Sequence, residues 1–178
     1  MSVRVVLAPI IMFHGAHRWS GPPQLQPASM KNMEHGPGLY LTSDESTARS
    51  YAKGGGVVLR FEIDPKIRKL DDARISALTM IDFVRSTPRI KHRKEVVADL
   101  LAADARAAAH GRDEVAAATL VNLLHYYKSL TGPVGPAVAH FYVLHGIDAD
   151  VIRPSSGKPG ETWMTLFNLD AIVRYARV

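Results

Sequence analysis

Three short stretches near the N-terminus put a histidine and two tyrosines beside glycines: Phe13-His14-Gly15, then Gly36-Pro37-Gly38-Leu39-Tyr40-Leu41-Thr42-Ser43, then Ala48-Arg49-Ser50-Tyr51. These residue types suit a pocket for a flat, polar ligand. Glycine lets backbone N–H and C=O groups approach a ligand closely because no Cβ intervenes, and tyrosine offers a ring face for stacking. Taken singly, each residue has a plainer role. A lone helical tyrosine is usually core edge, a lone histidine a satisfied polar group, and Gly-Pro-Gly a turn. The ordered set carries the inference.

The elements that must position these residues follow from local pattern. Residues 10–13 form an apolar run that stops at Gly15, which reads as a buried strand with His14 at its end. Residues 39–42 read as a second strand, opened by Gly36-Pro37-Gly38. Thr42, with Glu45 three residues on, fits the capping box of a following helix. On that helix Ala48, Tyr51 and Ala52 fall at spacings of three and four and so share one face, bringing Tyr51 toward Tyr40 around one cavity. Near the other end, residues 141–144 close a helix at His145-Gly146. Residues 147–152 lead into a strand, 154–160 form a turn-rich loop, and 161–167 read as another strand opening on Glu161.

Between these regions the pattern is helical. Residues 93–109 place Val96, Val97, Leu100, Leu101 and Ala105 on one stripe, and residues 113–130 do the same with Val115, Thr119, Leu120, Leu123 and Leu124. Gly111 separates these two antiparallel helices, and Gly132-Pro133-Val134-Gly135-Pro136 separates them from a third. The 178 residues, 47% apolar, suffice for one domain with an insertion. There is no apolar run of membrane-spanning length and no secretory pattern at the N-terminus, so a cytoplasmic protein with no membrane partner is expected. With no cysteine there is no disulfide, thiol nucleophile or thiolate metal site, and the eight histidines lack zinc-motif spacing, so no metal is expected.

The first and last regions together resemble the ADP-ribosyltransferase superfamily, in the histidine–tyrosine–glutamate class that contains diphtheria toxin and the poly(ADP-ribose) polymerases. Phe13-His14-Gly15-Ala16 is similar to that family's Tyr-His-Gly-Thr strand, Gly38-Leu39-Tyr40-Leu41-Thr42 to its second strand, and residues 48–51 to its Ala-x-x-Tyr helix. The likeness spans residues 10–63, is absent from about 66–140, and returns more faintly over 141–178. Gly160-Glu161-Thr162-Trp163 is similar to the ending of compact phage-encoded anti-CRISPR members, a group akin to toxins and other effectors.

The resemblance implies an α+β fold of the ADP-ribosyltransferase type: one domain over residues 1–178, two small sheets enclosing an NAD cleft, and a helical insertion at 74–145. It implies a glycosyltransferase with NAD as substrate, a mono-ADP-ribosyltransferase that cleaves the nicotinamide–ribose bond and transfers ADP-ribose to a macromolecule, protein more than nucleic acid. By the same resemblance His14 hydrogen-bonds the adenine-side ribose, the Gly15 backbone holds the nicotinamide amide, Tyr40 and Tyr51 sandwich the nicotinamide ring, and Thr42 joins the binding set. Glu161 is the catalytic acid, working with His14 and Tyr51. A carboxylate is needed there because bond cleavage develops positive charge on the sugar, as in glycoside hydrolysis. The spacing from Glu161 to Asn168 is longer than the family's, and a stricter register puts Trp163 in the acid's place, so Asp150 stands as the alternative acid. Pro159, two before Glu161, carries no carboxylate, which argues against arginine as acceptor.

Net charge of +5 favours acidic partners, and residues 85–94 hold Arg85, Arg89, Lys91, Arg93 and Lys94 with His92 among them. No aromatic residues are interleaved there for base stacking, so a solvated basic helix start is at least as good a reading as a phosphate-tracking patch. Two further functions fit the same fold: an RNA 2′-phosphotransferase, which consumes NAD but carries more basic pocket residues than the Arg18 and Arg49 seen here, and a catalytically inactive binding module.

Overall fold

The computed structural model describes residues 7–25, 36–155 and 157–178. In chain order the elements are β1 (Ile10–Ala16), β2 (Leu39–Thr42), α1 (Glu45–Ala52), β3 (Val57–Ile63), β4 (Arg74–Ile75), α2 (Ala77–Ser86), α3 (Arg93–Ala108), β5 (Val115–Ala116), α4 (Ala118–Tyr126), α5 (Val134–Leu144), β6 (Ala149–Ile152), β7 (Trp163–Leu166) and β8 (Ile172–Arg177), the last preceded by a 3-10 turn at Leu169–Ala171. The fold is α+β, and all pairings between strands are antiparallel.

Period-two alternation builds the sheet. In β3, Leu59, Phe61 and Ile63 turn to one face and are buried, while Arg60 and Glu62 turn to the other and form an ion pair that Arg174 of β8 joins. Met12, Leu39, Leu41, Met164 and Leu166 lie in the same apolar layer as the β3 residues. On the opposite face, α1 lays Ala48 and Ala52 against Phe13 and Val58.

The six long strands run in the order β6-β7-β2-β1-β3-β8. The expected pair of small sheets is therefore one sheet, but its joint is narrow. β1 and β3 are paired along the whole of β1, and β2 and β7 along the whole of β2, whereas β1 and β2 share the single pair Phe13↔Thr42. Two three-stranded halves meet at that pair and diverge beyond it. The second sheet is the two-residue ribbon β4–β5, which belongs to the helical region.

That region carries an apolar core built mainly from residues of α2 to α5 and the ribbon, joined by Phe167 from just beyond β7, and Leu25 packs against both this core and the layer under the sheet. Tyr142 anchors it: fully buried, its hydroxyl donates to Ala117 O at 3.0 Å and accepts from Val121 N–H at 3.2 Å. The helix expected over 113–130 is shorter. Val115 is drawn into pairing with Ile75 and buried there, so α4 starts only at Ala118. The helix over 93–109 is present to within a residue, with a narrower buried stripe of Val96, Leu100 and Ala107, and Leu101 is exposed. Among the described residues no helix is long and apolar enough to cross a membrane.

Helix α1 reaches the sheet because Gly15 has no side chain. A Cβ on Gly15 would stand 1.7 Å from Ala48 O and 3.1 Å from Ala52 N. Because backbone cannot yield as a side chain end can, Gly15→Ala should lose about 3 kcal/mol or more in urea unfolding. Gly54→Ala, where a Cβ meets nothing within 4 Å and only the φ of +61° is unfavourable, should lose about 1 kcal/mol.

Candidate functional site

At the divergence of β1 and β2 the His14 ring meets the Tyr40 backbone. Continuing the antiparallel register past Phe13↔Thr42 would set Gly15 opposite Tyr40. Instead the His14 ring reaches across, and its Nδ1 lies 2.7 Å from the Tyr40 carbonyl oxygen. A carbonyl can only accept, so Nδ1 carries the proton and Nε2 is the acceptor of the neutral ring. Burial pulls the His14 pKa below its ordinary value, with the Tyr40 carbonyl opposing in part, so the ring is neutral at pH 7. Trp19 packs edge-on against it, ring centroids 5.3 Å apart.

Strand β2 then lines up the polar side chains. Tyr40 and Thr42 leave the same face, which is also the face that α1 covers on β1 and β3. Directly opposed residues share a face, giving the rows Tyr40–Thr165–Asp150 and Thr42–Trp163–Ile152 across β2, β7 and β6. The Tyr40 hydroxyl donates to the Gly36 carbonyl, fixing the turn that opens the strand. Gly38 allows β2 to lie close to β7, since a Cβ there would meet Leu166 O at 2.7 Å.

Glu161 lies in the loop before β7 and not within the strand, and it is 6% exposed. Its Oε1 accepts from the Thr42 hydroxyl at 2.6 Å and the Trp163 indole N–H at 2.8 Å, and its Oε2 from the Lys158 amide at 2.9 Å. Burial pushes its pKa up, but these donors, with the Thr47 hydroxyl, outweigh it and hold the carboxyl below its usual range. Trp163 stands in the row beside Thr42 and hands its indole N–H to the glutamate.

Thr42 is not the cap of α1. That role falls to Asp44, whose carboxylate accepts from Thr47 N–H at 2.7 Å, while the Thr42 hydroxyl accepts from Asp44 N–H and donates to Glu161. The loop is also clasped to α1: Lys158 Nζ bonds Asp44 at 2.8 Å and contacts Ser46, and Ser43 and Thr162 exchange two bonds of 2.9 Å. The lysine ammonium in particular depresses the Asp44 pKa well below the carboxylate range.

The His14 ring meets the Tyr40 backbone and Glu161 meets Thr42, but strand alternation sends the His14 side chain to the face of Met12 and Leu59, opposite the one from which Tyr40 and Thr42 leave. Tyr51 departs from its expected position. Ala48 and Ala52 are buried, but Tyr51 is 59% exposed, because α1 sits so close at Gly15 that only small residues fit beneath it. Asp150 is apart from Glu161, two strands from Tyr40, or about 10 Å. It faces a cavity of about 430 Å³ shared with Gly36, Asp71, Asn122, His125 and Tyr126. Burial, then the charge of Asp71, raises its pKa to about 6. Among the described residues no group of three or more His, Asp or Glu is arranged to hold a metal ion.

Compared with protein-family models, curated proteins and solved structures, the chain matches none. Sequence reasoning missed the Thr42–Glu161 bond and the Lys158 clasp, which join residues more than a hundred positions apart and leave no local signal, and the short Trp163–Glu161 bond beside them.

The two carboxyls should respond to pH in opposite senses. A folded pKa below the unfolded one stabilises the fold above the carboxylate range, and that contribution is lost as pH falls through the lowered value. Glu161→Gln sets an amide N–H₂ or a weaker acceptor against the Lys158 and Trp163 donors, so it should cost about 2 kcal/mol at pH 7, a gap that narrows toward pH 3. Asp150, its folded pKa raised, opposes folding once ionised, so Asp150→Asn should raise the melting temperature at pH 8 and change it little at pH 4. Thermal melts of both variants across this range check the signs.

Proposed function

We propose that the chain is an NAD-consuming mono-ADP-ribosyltransferase of the histidine–tyrosine–glutamate kind, and that the opening between β1 and β2 is its NAD cleft. One observation carries the reading: the His14 ring is locked on the Tyr40 carbonyl at 2.7 Å just where the two strands part, with the buried Glu161 carboxylate bonded to Thr42 two residues along β2. His14 presents Nε2 as an acceptor for a ribose hydroxyl. The Gly15 backbone edge that faces the parted strand supplies N–H and C=O to a carboxamide. Tyr40 offers a ring from the sheet and Tyr51 a second from α1, on the same side.

Glu161 gives the site its chemistry. Cleavage of the nicotinamide–ribose bond leaves positive charge on the sugar, and a carboxylate that stays ionised in a partly dry setting stabilises that charge without rearranging. The donors around Glu161 keep it ionised and fix its position. Acceptor access falls to the loop over 153–160, which Lys158 ties to α1.

The test is nicotinamide release from NAD by the purified chain, measured where each variant is folded. Glu161→Gln should retain NAD affinity and lose about 10² to 10³ in turnover. Tyr51→Ala should weaken NAD binding while leaving thermal stability unchanged, because the side chain is 59% exposed, and Tyr51→Phe should bind nearly as wild type because stacking uses the ring face. Unchanged turnover in Glu161→Gln, with activity lost in folded Asp150→Asn, would move the acid to the neighbouring cavity.

A further inference from the structure

The basic run 85–94 lacks tyrosine, tryptophan and phenylalanine in sequence, but the fold brings two rings to it. The turn after α4 packs on the segment leading into α3. Lys91 N–H donates to Ser129 Oγ at 3.1 Å, and the Ser129 hydroxyl donates back to Lys91 O at 3.0 Å. This pairing stacks His92 on Tyr127, ring centroids 5.7 Å apart at 29°, and sets Tyr126 edge-on to Tyr127 at 5.0 Å. Tyr127 is in turn fixed through its hydroxyl to Asp99 Oδ2 at 2.8 Å. Tyr126 is left 75% exposed on a supported base, so its ring is presented to solvent by neighbours that are themselves held in place.

Three lysines lie near these rings, Lys128 in the same turn and Lys91 and Lys94 across the Lys91–Ser129 pairing. Lys91, Lys94 and Lys128 are exposed, as is His92. Arg93 is different: it is tied to Thr87 O at 2.8 Å and serves the fold. Of the nearby acids, Asp99 is occupied by Tyr127, Glu95 lies 3.9 Å from His92, and Asp71 and Asp150 line the cavity that Tyr126 borders. Helix α3 begins with no side-chain cap, which adds the positive end of its dipole to the same edge.

The geometry points to a surface for single-stranded nucleic acid, with phosphates along Lys91, Lys94 and Lys128 and an unpaired base stacked on Tyr126. Cations beside a presented aromatic face are what a single strand uses, since every base has a face to stack and every linkage a charge to neutralise. A lipid surface would instead need a broad apolar face beside the cations. This surface lies on the helical region and does not depend on the NAD reading.

Fluorescence anisotropy with the full chain and a labelled mixed-sequence single strand of about a dozen nucleotides, as RNA and as DNA, tests it. Saturable binding should weaken as salt rises from about 50 to about 200 mM. Tyr126→Ala should weaken it about tenfold and Tyr126→Phe by no more than about twofold. Lys91→Ala with Lys94→Ala should flatten the log–log salt slope by about 1.4, two contacts at about 0.7 each. The proposal is overturned by absence of saturable binding at the lower salt, by wild-type affinity in Tyr126→Ala, or by tighter binding to a duplex of equal length or to anionic phospholipid vesicles.

Discussion

The single pair Phe13↔Thr42, reinforced by the His14 ring on the Tyr40 carbonyl, is the constraint on which the rest of the molecule depends. A fully zipped β1–β2 ladder would make a flat sheet with its backbone groups used up. Stopping after one pair leaves two halves that share a core yet part at one edge, and it puts a histidine, a tyrosine and a glycine on the parted edges. Two further features hold that opening. Gly15 lets α1 seat directly on β1, and the Thr42–Glu161 bond ties β2 to the loop before β7.

The two acids show how burial and hydrogen bonding compete. Glu161 and Asp150 are both withdrawn from water, which by itself raises a carboxyl pKa. Glu161 meets donors from Thr42, Trp163 and the Lys158 backbone, and the balance falls toward the charged form. Asp150 meets the like charge of Asp71, and the balance falls toward the neutral form. A group needed to face developing positive charge must be ionised and fixed, which favours Glu161. A carboxyl with a pKa of about 6 suits proton exchange instead.

Much of the sheet was legible in the sequence, because alternation and glycine placement are local signals. The runs at 10–13 and 39–42 and the helix after Ser43 stand as read, and the His14 ring lies against the Tyr40 backbone. What was not legible came from contacts distant in sequence. Thr42 looked like a helix cap because a capping box is a four-residue pattern, but Asp44 competes for that place and Thr42 is bonded to a residue 119 positions away. Residues 113–130 looked like one helix because period 3.6 cannot show that Val115 will pair with Ile75. The basic run looked solvated because Tyr126 and Tyr127 reach it only through the packing of α4 beside α3.

What occupies the opening between β1 and β2 decides whether this is an NAD site. A crystal structure of the chain with a non-hydrolysable NAD analogue tests this directly. The nicotinamide ring should lie between Tyr40 and Tyr51 with its amide on the Gly15 backbone, the adenine-side ribose should meet His14 Nε2, and the nicotinamide-side ribose should face Glu161. An analogue seated instead in the cavity beside Asp150 and Asp71, or no saturable binding of the analogue in solution, would contradict it.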